Sequence, residues 1–215
     1  MRSDSHDVPL PAQLSTTAVL RLQADPQAFA VELARPMPQP PSRAARFGTR
    51  FHLWVERYLG PNRPRGALGQ QPLVDPDDLP DRADSGASGE LELRELCAAF
   101  AAGQFGHTVP YALEAPFSVA LGGRLVRGRI DAVYAETSDG FAFRVVDWKT
   151  SRSESADPLQ LAIYRLAWAE ANHIPLATVD AAFYYVRSDH LVRPSELADR
   201  PQLERLLAGD GEPLP

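Results

Sequence analysis

The stretch from Gly128 to Tyr164 constrains this chain more than any other. It contains GRIDAVY, a turn, FAFRVVDWKTS and then PLQLAIYRLAW. The runs Arg124 to Tyr134 and Phe141 to Val146 are rich in β-formers and flank Thr-Ser-Asp-Gly at 137–140, which predicts a hairpin. Side chains two apart on a strand share a face, so Asp147 and Lys149 point the same way. The turn folds Asp131 back beside them. Asp157-Pro158 predicts a helix start, with an N-cap followed by proline at the first helical position. Gln160 and Tyr164 then fall four apart on one face of its first two turns.

Two carboxylates and an ammonium at one end of a hairpin suit a hard cation with an oxygen-rich site. Mg²⁺ takes one or two carboxylates, several waters and phosphate oxygens of a substrate. Such an ion makes its water a stronger nucleophile and polarises a phosphoryl group. An ammonium on the same face orients that water or stabilises charge in the transition state. The chain has 22 Lys+Arg, and Lys149 is the only lysine among them. A sequence this biased to arginine keeps a lysine where the two are least interchangeable.

Upstream, Arg43 to Leu59 is an amphipathic pattern, with Phe47, Phe51, Trp54, Val55 and Tyr58 at helical spacing. His52 lies on it, either as a metal ligand or as a hydrogen-bonded core histidine. Gly48, one turn away, would let another backbone or a DNA strand come close. Arg50 on this helix, Arg127 and Arg129 on the second strand and Arg152 in the loop after Lys149 are candidate phosphate contacts, with a solvated surface as the plain alternative.

In order, His52, Gly128 with Asp131, Asp147 with Lys149, and Gln160 with Tyr164 resemble the motif set of the PD-(D/E)XK nuclease superfamily, and within it the RecB-type nuclease domain. The likeness runs from about residue 44 to about 195. The segment PPSRAARFGTRFHLWVERYLG also resembles nuclease domains at the C-terminus of actinobacterial UvrD-type helicases. The resemblance implies a restriction-endonuclease-like α/β (α+β) core, a mixed sheet of about five strands flanked by helices. It implies a Mg²⁺- or Mn²⁺-dependent deoxyribonuclease serving DNA repair or recombination. His52, Asp131, Asp147 and the Trp148 backbone carbonyl would hold the ion. Asp131, Asp147, Lys149, Gln160 and Tyr164 would form the catalytic set. Glu114 falls where the family often has a glutamate near the metal; an edge-strand glutamate in water is the equal alternative, and it is left out of the ligand set. Gln160 and Tyr164 would place substrate or water, against a packing role for both.

Composition bounds the rest. At 215 residues, 44% hydrophobic and 23% charged, the chain suits one globular domain with appendages. No apolar run spans a bilayer and no signal peptide is visible, so a cytoplasmic location and no membrane partner are expected. Cys97 is the only cysteine, which excludes an intramolecular disulfide and a four-thiolate iron–sulfur cluster. The net charge of −6 argues against a simple DNA-coating protein, but phosphate contacts are local and a nuclease is compatible with it.

The expected organisation is an N-terminal helix and Pro-rich linker over 1–42, a nuclease domain over 43–208 with a long acidic loop at 60–89, and a tail at 209–215. The helix is expected over Leu14 to Leu33 with a break at Pro26, and further helices over Glu90–Gln104 and Ser195–Leu207. Strands are expected at Val109–Leu121, after which Gly122-Gly123 turns the chain, at Val179–Val186 and at Leu191–Arg193. No Walker-type loop is present, so a helicase motor would be another domain or subunit. DNA, single-stranded or unwound, is the expected partner. The competing readings are an inactive nuclease-like module that binds DNA or scaffolds a helicase, and a protein-interaction domain working through its helices and acidic loop.

Overall fold

The computed structural model describes residues 9–36, 40–60, 87–136 and 140–208. The chain runs β1 (Gln13–Ser15), α1 (Thr16–Ala24), α2 (Pro26–Ala34), α3 (Arg43–Leu59), α4 (Ala87–Ala102), β2 (Ala112–Leu121), β3 (Arg124–Ala135), β4 (Phe143–Lys149), α5 (Pro158–Ala171), β5 (Val179–Tyr185), β6 (His190–Val192) and α6 (Arg200–Ala208). The six strands form one mixed sheet in the order β1-β3-β4-β5-β6, with β2 also paired to β3. Pairing is antiparallel for β2–β3, β3–β4 and β5–β6, and parallel for β1–β3 and β4–β5. Parallel neighbours need a crossover, and α5 supplies it between β4 and β5. The mixed sheet and flanking helices are those of a restriction-endonuclease-like core, with β1 as a sixth strand. Most of the acidic loop expected at 60–89 lies outside the described residues, as do 137–139 of the predicted turn and the tail at 209–215.

Two hydrophobic clusters cover the two faces of the sheet. One joins Val19, Phe29, Leu161, Trp168 and Leu203 from α1, α2, α5 and α6 to Val126, Ile130, Val145 and Phe183 of the strands. The other joins Phe51 and Val55 of α3 and Leu96 and Phe100 of α4 to Ala132, Val146, Trp148 and Tyr184. Trp148 is fully buried, its ring 5.3 Å from Phe100. Each such side chain is worth roughly 1.5–3 kcal/mol of burial, and together they fix α3 against the sheet.

Two expectations needed correction. The first helix begins as strand: Gln13–Ser15 pairs in parallel with Leu125–Arg127. Ser15 then caps α1, accepting from the Ala18 N–H at 3.1 Å. The predicted break is at Asp25-Pro26, where Asp25 caps α2. The last helix starts at Arg200 rather than Ser195, because Asp199 and Gln202 form a reciprocal capping box. Asp199 Oδ1 accepts from the Gln202 N–H at 3.0 Å, and Gln202 Oε1 accepts from the Asp199 N–H at 2.7 Å.

Candidate active site

On an unbroken strand, residues two apart keep to one face. In β3 that rule inverts. Val126 and Ile130 join the α5-side cluster, whereas Ala132 and Tyr134 join the α3-side cluster. β2 inverts at the matching place: Leu113 lies on the α3 side, and Val119 and Leu121 lie on the other. Between these points sit Asp131 and Glu114. Glu114 takes φ +49°, a left-handed conformation that costs a non-glycine residue on the order of 1 kcal/mol or more. The paired inversion occurs where the two acids meet His52.

His52 is delivered by α3. Ser42 caps this helix at the Ala45 N–H, and Phe51, Val55 and Leu59 bury its inner face. The His52 Nδ1 lies 3.4 Å from Asp131 Oδ1 and 3.5 Å from Glu114 Oε1. A His52 nitrogen and one oxygen each from Glu114 and Asp131 all lie within 4.8 Å of one another. Gly48, one turn back, is not forced by packing: a Cβ there would meet Thr150 Oγ1 at an ordinary 3.9 Å.

β3 and β4 remain paired as far as Ala132 and Val146 and then part. Asp131 fills the split, its Oδ2 accepting from the Trp148 N–H at 2.8 Å. The N–H and C=O of one strand residue point to the same neighbour. The Trp148 carbonyl is thus directed to the Asp131 side, while the Lys149 carbonyl accepts from Val186 on the other. Asp147 is 3% exposed. Its Oδ1 accepts from Gln160 Nε2 at 2.8 Å, and its Oδ2 is ion-paired with Lys149 Nζ at 2.7 Å. Lys149 Nζ also donates to Gln160 Oε1 at 2.7 Å and lies 5.0 Å from the Phe183 ring centroid. Gln160 Nε2 donates in turn to the Tyr164 hydroxyl at 2.9 Å. The predicted residues on β4 and α5 therefore form one hydrogen-bonded array.

The electrostatics are those of a crowded acid cluster. Burial, then the neighbouring Asp131 charge, pushes Asp147 up to about 6, although Lys149 and His52 oppose the shift. Burial also raises Glu114. For His52, burial favours the neutral ring, but Asp131 and Glu114 outweigh it and hold the pKa well above the ordinary histidine value. Burial and then Asp147 keep the Tyr164 phenol protonated, well above its usual range. Glu114 Oε1 is buried and accepts no hydrogen bond among the described residues. Two carboxylates and an imidazole that meet in this way fit a divalent cation.

The arginines divide. Arg50 pairs with Glu90 of α4 at 2.6 Å, and Arg129 approaches Glu114 at 3.5 Å. Arg127 is exposed. Arg152 is 80% exposed and reaches Glu92 at 3.4 Å. Arg187, not singled out from sequence, holds the loop after β4 by donating to the Thr150 carbonyl at 2.9 Å and to Glu92 at 2.9 Å. Glu114 was legible in principle. The hairpin closes at Gly122-Gly123 with Leu121 opposite Arg124, and counting back along both strands places Glu114 opposite Asp131.

A sequence model of the PD-(D/E)XK nuclease superfamily matches residues 13–210. Among solved structures, a candidate exonuclease from Eubacterium rectale superposes with a TM-score of 0.50 at 11% identity, over 99% of this chain and 89% of that one. The crystal structure of SSO0001 superposes with a TM-score of 0.40 at 15% identity, over 96% and 77% of the two chains. At such identities the first likeness speaks to the fold alone. No curated protein matches the chain.

Proposed function

The chain belongs to the PD-(D/E)XK nuclease superfamily, and from that membership we propose that it is a divalent-metal-dependent deoxyribonuclease, the nuclease module of a DNA repair or recombination helicase–nuclease. The observation that carries the reading is the meeting of His52, Glu114 and Asp131 beside the Asp147–Lys149–Gln160 array. His52, Glu114 and Asp131 would hold the cation, with Asp147 and the Trp148 carbonyl as further ligands by resemblance. The chemistry that Mg²⁺ or Mn²⁺ would supply there is activation of a water and polarisation of the scissile phosphate.

The chain's own residues do the rest. Lys149, fixed by Asp147 and Gln160, presents its ammonium to the attacking water or to a phosphoryl oxygen. Tyr164 stays protonated and keeps Gln160 turned toward Asp147. The exposed Arg127 and Arg152 meet substrate phosphates, and Arg50 and Arg129 do so from within their existing ion pairs. The helicase association rests on the resemblance of the α3 region to nuclease domains of UvrD-type helicases.

The test is digestion of single- and double-stranded DNA with Mg²⁺ or Mn²⁺. Lys149→Ala and Asp131→Ala are each expected to lose about 10²-fold or more in rate. Variants that cut as fast as the parent contradict the assignment. DNA affinity without cleavage under either cation points instead to an inactive binding module.

A further inference from the structure

We propose that the cavity at the N-terminal end of β5 is a second binding site, separate from the acid cluster, that takes a phosphate dianion, free or as the monoester of a mononucleotide. The proposal stands whether or not the chain cuts DNA. β4 and β5 run parallel, with Asp147 opposite Phe183 and Lys149 opposite Tyr185. The cavity lies at the other end of these strands, against Val179 and Ala181, and Tyr185 is roughly 20 Å from Val179 along β5. Its origin is local. β6 pairs with β5 only through His190–Val192 opposite Phe183–Tyr185. Pro194, just beyond, has no N–H to give to a ladder, and the chain leaves the edge of β5 there. The space so opened is about 410 Å³, within the roughly 300–1,000 Å³ of small-molecule sites.

The lining combines cations with an apolar wall: Arg165 and Arg193 with Phe141, Pro194 and Leu197. Arg165, on α5, is half-buried. Its Nε donates to the Val179 carbonyl at 2.7 Å and its Nη2 to the Leu176 carbonyl at 3.1 Å. These acceptors are neutral; they orient the guanidinium without balancing its charge. Among the described residues Nη1 has no acceptor, and no carboxylate lies within ion-pair distance of Arg165. Asp180 is near enough to attract it, but burial outweighs that field and lowers the pKa from the ordinary arginine value. Asp180 is itself engaged, ion-paired with Arg144 Nε at 2.7 Å and with Arg193 Nε at 3.1 Å. Arg193 also lies over the Phe141 ring, 5.8 Å from its centroid. A half-buried charge without a counter-ion costs stability, and a guanidinium does not relieve that cost by losing its proton. An anion in the cavity would relieve it. Guanidinium donors match phosphate oxygens in geometry, and the apolar wall offers packing to a nucleobase.

The test is calorimetry on the whole chain in EDTA with three probes: deoxyadenosine 5′-monophosphate, inorganic phosphate and deoxyadenosine. The monophosphate is expected to bind once per chain and to raise the melting temperature. Arg165→Met and Arg193→Gln are each expected to weaken it by about tenfold or more. Arg165→Met also gives up two bonds to carbonyls, so a variant that leaves those bonds alone is needed. Ser195 lines the cavity and is exposed. Ser195→Glu puts a carboxylate beside the two arginines, where the anion would sit. It is expected to melt at or above the parent's temperature and to lose monophosphate binding. Lys149→Ala, at the active site, is expected to bind like the parent. Inorganic phosphate that binds as tightly as the monophosphate supports the site with free phosphate as its ligand. A monophosphate at least tenfold tighter supports it with the apolar wall as part of the site. Deoxyadenosine that binds as tightly as its monophosphate overturns the proposal, as does the absence of binding by both phosphates. Ser195→Glu with the parent's affinity overturns it too. Binding lost in Lys149→Ala but kept in Ser195→Glu assigns the phosphate to the active site and likewise ends the proposal.

Discussion

Replacing Gln160 with leucine tests the array that holds Lys149. The side chain makes three contacts: to Asp147 Oδ1 at 2.8 Å, from Lys149 Nζ at 2.7 Å and to the Tyr164 hydroxyl at 2.9 Å. Two of these involve charged groups, and hydrogen bonds of that kind contribute about 1.5–3 kcal/mol each. The Gln160→Leu protein keeps the side-chain bulk but leaves Asp147 Oδ1 buried without a donor. A stability loss of about 3 kcal/mol is expected, which for a chain of this size lowers the melting temperature by roughly 6–12 °C. The catalytic effect is separate. Lys149 retains Asp147 but loses its second anchor, and a displacement of about 1 Å costs on the order of 10²-fold in rate. Gln160→Glu provides the contrast: it preserves an acceptor for Lys149 but turns an acid toward Asp147. It should cut faster than Gln160→Leu at a pH low enough to keep that acid pair protonated, and lose the advantage as pH rises. The assay is single-turnover cleavage of a labelled oligonucleotide at saturating Mn²⁺, with thermal unfolding in parallel. A Gln160→Leu protein that cuts within threefold of the parent refutes the reasoning.

Three further outcomes follow from the same geometry. Glu114→Gln should weaken Mn²⁺ binding by about 10–100-fold, measured by calorimetry, while raising metal-free stability because one member of a crowded acid cluster is gone. Stability of the metal-free protein should fall as pH rises from about 4.5 to 7.5. Asp147, at about 6 when folded against an ordinary 3.8, contributes stability that is present below its unfolded value and lost as pH passes through the folded one. The raised Glu114 and His52 act with the same sign, so the rise in melting temperature on adding Mn²⁺ should be larger at pH 7.5 than at pH 5. Gly128→Ala should cost about 2 kcal/mol, or roughly 4–8 °C by thermal unfolding, because its Cβ would press on Thr16 Oγ1 and Phe117 together; an unchanged melting temperature contradicts this close packing.

Much of the fold was legible because its signals are local. The α3 pattern, the Gly122-Gly123 turn and the Asp157-Pro158 start each act within a few residues, and the observed elements begin and end close to them. The grouping of Asp147 with Lys149 follows from strand period, and that of Gln160 with Tyr164 from helix period. What stayed hidden is non-local. Nothing in QLS predicts a strand: three residues carry no usable period, and β1 exists only because β3 offers its edge. For Glu114 the hairpin register gives its place opposite Asp131, but not the left-handed φ and the face inversion that direct it to His52. The start of α6 was missed for a different reason. The Asp199–Gln202 capping box stands in the sequence, but the earlier serine at 195 offers a competing start.

The central claim is that His52, Glu114 and Asp131 share one cation. Anomalous diffraction from crystals soaked in Mn²⁺ tests it most directly. A single peak is predicted within coordination distance of His52 Nδ1, Glu114 Oε1 and Asp131 Oδ1, lost in Asp131→Ala crystals. Saturating Mn²⁺ that leaves no peak among these three atoms, or gives one elsewhere on the chain, contradicts the account.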